Sequence, residues 1–366
     1  MRAMKYTVGL LPALLSFVSI ALAGGWSFMA PIVIFGLIPL LELALKPSET
    51  NLEDELEADI RNARVFDVVL YLTVPVQFAL LGYFLWRMST GTFAWWEVAG
   101  MTLSMGMSCG TLGINAAHEL GHRRKVSEQR MAKALLLTTL YTHFFIEHNR
   151  GHHSHVATDE DPASSRLGES LFAFFPRTIV GSWMSAWRLE RDRLSKLGRR
   201  WLTWDNEMLR LQLLQVVFTG AIFAAFGPVA GLAFLGAAAT GALLLETVNY
   251  LEHYGLRREP QGNGRYERVL PIHSWNSNHP IGRLFLFELS RHSDHHANAR
   301  RKYQVLRHFD HSPQLPTGYP GMMVLAWMPP LWFAVMHRHM ERERARVTEM
   351  GERAAVVPLD GGRQAA

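Results

Sequence analysis

Residues 98–122 read VAGMTLSMGMSCGTLGINAAHELGH. From 98 to 117 there is no Asp, Glu, Lys or Arg, and the run ends on His118 and His122, four apart. About 20 apolar residues are enough for a helix to cross the hydrocarbon core of a bilayer. Residues four apart share a helical face. The stretch therefore predicts a membrane crossing that delivers two imidazoles to one point at its end.

Three other charge-free runs, 6–41, 68–86 and 211–245, extend the pattern. The first and last are long enough for two crossings each. Gly24-Gly25 and Gly227-Pro228 supply the turns that would divide them. The expectation is an all-α integral membrane protein with six transmembrane helices, at about 6–23, 26–45, 66–86, 95–117, 208–226 and 229–251. Residues 118–206 and 252–340 would form a helical, histidine-rich cytoplasmic cap. The whole of 1–340 would be one membrane-embedded domain, followed by a charged, Gly-containing flexible tail, 341–366. The apolar stretches 134–146 and 321–336 are too short to cross and suit re-entrant or interfacial helices. A cleaved signal peptide is not expected, because a second apolar span follows the first within a few residues.

Counting basic residues in the loops gives an orientation. With the N-terminus inside, the outer turns 24–25, 87–94 and 227–228 hold Arg87 alone, and the other 36 Lys and Arg fall on the cytoplasmic side. The same orientation puts every histidine cluster on that side. Both termini and the clusters are thus expected at the cytoplasmic face. The net charge of +5 fits attraction to anionic lipid or to an acidic partner. No nucleic-acid recognition motif accompanies it. The single cysteine, Cys109, lies inside an apolar span and reads as a small core residue. It excludes an intramolecular disulfide and any Cys-x-x-Cys metal site within this sequence.

Four clusters carry the chemistry: His118 with His122; His148, His152 and His153; His253; and His292, His295 and His296. Neutral imidazole is the commonest transition-metal ligand, and nine candidates exceed twice the need of one four-coordinate zinc. Two metal ions at a membrane surface follow. A lone histidine on such a helix would more often be a satisfied structural group, but the clustering argues against that here. A rival comes from His118-Glu119-x-x-His122, which matches the zinc metalloprotease signature with Glu119 as base. It would leave most of the clusters without a purpose. A carboxylate-bridged diiron bundle would need Glu-x-x-His on two helices, and only Glu119 to His122 fits near a span.

More specific strings narrow the reading. Asn249-Tyr-Leu-Glu-His-Tyr-Gly-Leu256, His148-Asn-Arg-Gly-His-His153, His273-Ser-Trp-Asn-Ser-Asn278 and Arg291-His-Ser-Asp-His-His-Ala297 resemble the membrane-bound non-haem diiron alkane 1-monooxygenase family, within the histidine-box desaturase and hydroxylase superfamily. The resemblance covers about residues 6–336. One departure is Ser290, where that family usually carries Gln. The resemblance implies that His118, His122, His148, His152, His153, His253, His292, His295 and His296 bind two iron ions, without haem. It implies O2 as co-substrate and a terminal methyl of an n-alkane hydroxylated to a primary alcohol. Electrons would come from NADH indirectly, through a rubredoxin reductase and a rubredoxin, at a bacterial inner membrane. Within the superfamily, the alternatives are a fatty acyl desaturase and a hydroxylase of methyl-aromatic or fatty acid substrates.

An alkane offers no polar handle, so it must be held by burial of its methylenes, each worth about 0.8 kcal/mol against water. Ile114 and Thr111 lie one and two α-turns before His118, Leu112 adjoins that face, and Ile34 sits midway along the second span. These four are candidates for a substrate channel, with plain helix packing as the alternative. Glu119, Asn249, Glu252 and Asp294 are candidates to hold imidazole N–H groups, with helix capping as the alternative. Asp159, Glu160 and Asp161 could orient histidines or simply form a polar turn. Arg123, Arg124, Lys125, Arg300, Arg301 and Lys302 could dock an acidic electron carrier, although membrane flanks are commonly basic.

Overall fold

In the computed structural model, residues 2–262, 264–351 and 353–357 are described. They are almost entirely helical; the strands among them are the two-residue β1 (Pro260–Gln261) and β2 (Arg265–Tyr266), paired antiparallel. Among the described residues four helices are long and apolar enough to cross a membrane: α1 (Met4–Leu22), α2 (Gly24–Ala44), α3 (Arg64–Thr90) and Glu207–His253. Helix α4 is the continuous run 95–121, regular at Trp95–Ser108, widened to a π-helix at Cys109–Asn115, and regular again at Ala116–Gly121. The 47-residue Glu207–His253 would extend about 70 Å if straight, over twice a bilayer core of about 30 Å. It is broken at Gly227, whose backbone sits at φ 81° and ψ 175°, immediately before the Pro that cannot donate to a continuing ladder. We label its halves α5 (207–226) and α6 (228–253).

The surface of these helices is apolar and their interior is locally polar. Ile32, Leu40, Leu43, Val216, Val217 and Leu232 are each more than 60% exposed, while Ser16, Gln77, Ser104 and Ser108 are fully buried and hydrogen-bonded. Lipid is the solvent in which that distribution is stable.

Small residues bring α4 and α6 together. A Cβ on Gly106 would collide with Thr240, one on Gly110 would stand 3.1 Å from Leu244, and one on Gly241 would stand 2.7 Å from Cys109. Such an interface allows close backbone approach where no hydrophobic driving force exists between helices. Both helices carry ligand-capable histidines at their C-terminal ends, so this contact holds the two halves of the site side by side.

The remaining helices pack around those ends. The stretch 144–155 (α7) is π-helical at His148–His152. Leu171–Lys196 (α8) runs against α6 and α7, and His292–Ala297 (α9) carries the last cluster. Residues 341–349, expected in a flexible tail, instead continue the last helix, α10 (Pro329–Glu349). The reason is a buried face of Trp332, Met336, Met340, Glu343 and Val347 at helical spacing, with Glu343 paired to Arg346. Beyond it Val356 bridges Leu256, and Arg353 pairs with Glu267. Of the expected tail, residues 352 and 358–366 lie outside the described residues.

Candidate metal centre

The nine histidines converge into two groups. One holds His118, His122, His148, His153 and His295; the other holds His152, His253, His292 and His296; within each, the ligand-capable atoms lie within 4.8 Å of one another. In the first group Nε2–Nε2 separations are 2.9 Å for His118 and His295, 3.0 Å for His122 and His148, and 3.1 Å for both His148–His153 and His153–His295. In the second, His152 and His296 stand 3.2 Å apart.

Local helix geometry explains the partition. His118 and His122 are one regular turn apart, as are His292 and His296, and each pair shares a group. His148 and His153 are five apart yet also share one, because the π-turn between them closes i to i+5. His152, which a regular helix would place beside His148, is rotated into the other group. His295 leaves the His292–His296 face and crosses to the first group.

The arrangement fits bound metal. Nitrogens about 3.0 Å apart are what adjacent ligands around one ion present when metal–nitrogen distances are about 2.1 Å. Without a cation, inward-facing lone pairs at these distances repel. Among the described residues His253 and His292 each have a ring nitrogen that is buried without a hydrogen-bond partner, a costly state for a polar atom that a bound ion, taking one nitrogen per ring, would relieve. Burial, with neighbouring imidazoles adding to it, pushes His122 and His148 well below the usual histidine range and His153 down to about 3. The direction favours the neutral form that ligation requires.

Outer partners differ from most of those expected. Asp161 does orient an imidazole: its Oδ2 accepts from His152 Nδ1 at 2.9 Å, and it also holds Ser164 Oγ and the Ala163 N–H. Burial alone would raise Asp161; His152 and Ser164 outweigh it and hold the carboxyl at about 2. Glu252 stands 3.1 Å from His292 Nε2 through Oε2 and accepts from Tyr319 through Oε1. Among the described residues Glu119 makes no hydrogen bond to an imidazole, being tied to Arg123 and the Tyr303 N–H. That pairing also occupies the carboxylate the protease reading needs as its base. Asp294 serves the Arg307 N–H, Arg301 and Asn298, and Asn249 donates to Glu246. Glu246 was not foreseen, since nothing in its sequence neighbourhood marks a buried carboxylate in an apolar helix as shared by Tyr141 and Thr178.

A narrow, almost wholly apolar cavity ends on His118, His148 and His292 and runs along α2, α4 and α6. Ile34 and Thr111 line it, with Met107, Gly110, Leu244, Val248 and Met323. Leu112 and Ile114 do not: Leu112 packs with Leu80, Leu81 and Phe84, and Ile114 with Phe66 and Leu70. The wide turn at Cys109–Asn115 shifts the register, so Asn115 rather than Ile114 sits above His118.

Fold and site together define a membrane metalloprotein built around two histidine-ligand groups. Residues 93–326 match the fatty acid desaturase family model. The chain is 45% identical to alkane 1-monooxygenase 2 of Pseudomonas aeruginosa, over 85% of this chain and 83% of that protein. It is also 45% identical to alkane 1-monooxygenase 1 of Alcanivorax borkumensis, over 84% and 77%. A xylene/toluene monooxygenase hydroxylase component of Pseudomonas putida is 28% identical over 78% and 77%. The chain belongs to the alkane 1-monooxygenase family, within the broader histidine-box group.

Proposed function

We propose that the protein is a six-span inner-membrane monooxygenase that hydroxylates the terminal methyl of n-alkanes to primary alcohols, using O2 and electrons from rubredoxin. The observation that carries the reading is the apolar cavity ending on both histidine groups. Two irons would be held by the five and the four imidazoles respectively. Iron bound there would supply the reductive activation of O2 that inserting oxygen into an unactivated C–H bond requires.

The chain's own residues do the rest. Ile34, Met107, Val248 and Met323 line the cavity and accept a chain without polar groups. From Glu252 back to Leu244 the α6 wall extends about 12 Å, so a linear substrate reaches the histidines end first. The dry wall keeps water from competing for the reacting end. Asp161 fixes the His152 tautomer, leaving Nε2 free as donor atom.

The break at Gly227 and the continuity of 95–121 support six crossings, and the cap at the end of even-numbered spans supports a cytoplasmic site. Electron entry is supported by charge. Exposed Arg61, Arg124, Lys125 and Arg300 rim two clefts whose floors include His122, His153 and His296. An acidic rubredoxin suits that rim, with a reductase passing electrons from NADH.

Incubation with octane and hexadecane under 18O2, with rubredoxin and its reductase, should yield 1-alkanols carrying one 18O. An alkene, or an unlabelled alcohol, would sink the reading.

A further inference from the structure

At its inner end the otherwise apolar cavity is lined by polar side chains beside the histidines: Glu252 and Tyr319, which are bonded to each other, and two asparagine amides. Asn115 lies one turn before His118 on α4, and Asn249 one turn before His253 on α6. Both are buried and both line the cavity. Each is anchored through its NH2. Asn115 Nδ2 donates to the Leu286 carbonyl at 3.0 Å. Asn249 Nδ2 donates at 3.1 Å to Glu246, whose carboxylate is itself fixed at 2.7 Å by both Tyr141 and Thr178. A carbonyl or carboxylate partner dictates which end of an amide faces it, so both amide oxygens are turned the other way. Among the described residues neither oxygen accepts a hydrogen bond, and both residues line the cavity.

Two unpaired acceptors in a dry wall recognise a donor. An alkane has none, whereas a chain ending in O–H has one, and it would lie at the height of these amides when its end is beside the histidines. We propose that Asn115 and Asn249 form a hydroxyl-binding subsite for primary alcohols, with Glu246 as the residue that positions Asn249. The inference rests on the substrate reading above. The subsite would hold the product's hydroxyl after it forms and delay its exit, and alcohols of matching length would compete with alkane.

The test is equilibrium displacement of radiolabelled octane from the full-length, iron-loaded protein in nanodiscs without reductant, with empty nanodiscs subtracted. Competitors are 1-octanol and 1-methoxyheptane, which is of equal size and accepts but cannot donate. A net hydrogen bond corresponds to roughly three- to tenfold in affinity, so the alcohol should displace octane at roughly three- to tenfold lower membrane concentration than the ether. Asn115→Leu and Asn249→Leu should each shrink that ratio, and the double variant should bring it to about one; Glu246→Gln should shrink it through Asn249 alone. An alcohol-to-ether ratio of one in the unsubstituted protein overturns the proposal without any variant. So does a ratio that survives in a folded double variant, since the hydroxyl would then be held elsewhere. Failure of octane itself to bind would overturn the substrate reading along with it.

Discussion

Replacing Asp161 by Asn keeps size and shape and changes one atom. Asp161 Oδ1 receives the Ala163 N–H at 3.0 Å, while Oδ2 receives Ser164 Oγ at 2.6 Å and His152 Nδ1 at 2.9 Å. The backbone donor cannot move, so the retained oxygen stays with Ala163 and the new NH2 faces Ser164 and His152. Serine can turn its hydroxyl and accept. His152 cannot accept while Nδ1 carries the proton, and two donors would meet in a fully buried pocket. The imidazole relieves this by shifting its proton to Nε2, the atom 3.2 Å from His296 Nε2, and thereby loses its donor lone pair toward the second group. Loss of such an outer partner lowers metal affinity by about 10–100-fold, or about 1.4–2.8 kcal/mol. The first group, whose five histidines do not touch Asp161, should keep its ion. Titration of iron-loaded protein against a chelator should therefore show one tight and one weakened iron in Asp161→Asn, and two tight irons in Ser164→Ala. Equal retention of both irons by Asp161→Asn would refute the reasoning.

Further outcomes follow from the same contacts. Ile34→Trp should shorten the longest alkane accepted, read as the product profile across chain lengths; an unchanged profile would remove Ile34 from the channel. Gly241→Ala would place a methyl 2.7 Å from Cys109 and 3.1 Å from the Gly110 nitrogen. Such overpacking costs about 1–3 kcal/mol and should lower the thermal midpoint, whereas Gly36→Ala, which meets nothing within 4 Å, should not. Neutralising Arg61, Arg124, Lys125 and Arg300 together should raise the KM for rubredoxin and flatten its dependence on salt, with kcat at saturating carrier little changed. Removing iron should lower the thermal midpoint and its return should restore it, because ligand bound only to the folded state stabilises by mass action.

Much of the site was legible because its signal is chemical. Nine imidazoles in clusters at the ends of charge-free runs need no tertiary knowledge to suggest metal, and all nine meet in the structure. What spacing alone did not reveal was the assignment of histidines to groups. A π-turn at His148–His152 exchanges the places of His152 and His153, and no residue in His-Asn-Arg-Gly-His-His announces it. The same kind of turn at Cys109–Asn115 defeated the α-helical projection that put Ile114 in the channel. Partners for carboxylates were only partly legible: Glu119 pairs with Arg123 one helical turn on, a spacing the sequence displays, but it also takes the Tyr303 N–H from a distant segment, and Asp294 is held by Arg301 and the Arg307 N–H from the loop that follows it. The Gly227 break was readable because Gly-Pro leaves the backbone little choice, while the length of α10 depended on a buried face that charged composition concealed.

The iron content of the purified protein, with a variant to apportion it, bears most directly on the paired centre. Two irons per chain are expected, falling to about one in His253→Ala, which removes a ligand from the second group alone. A single iron in the unsubstituted protein, or one zinc in place of iron, would contradict it.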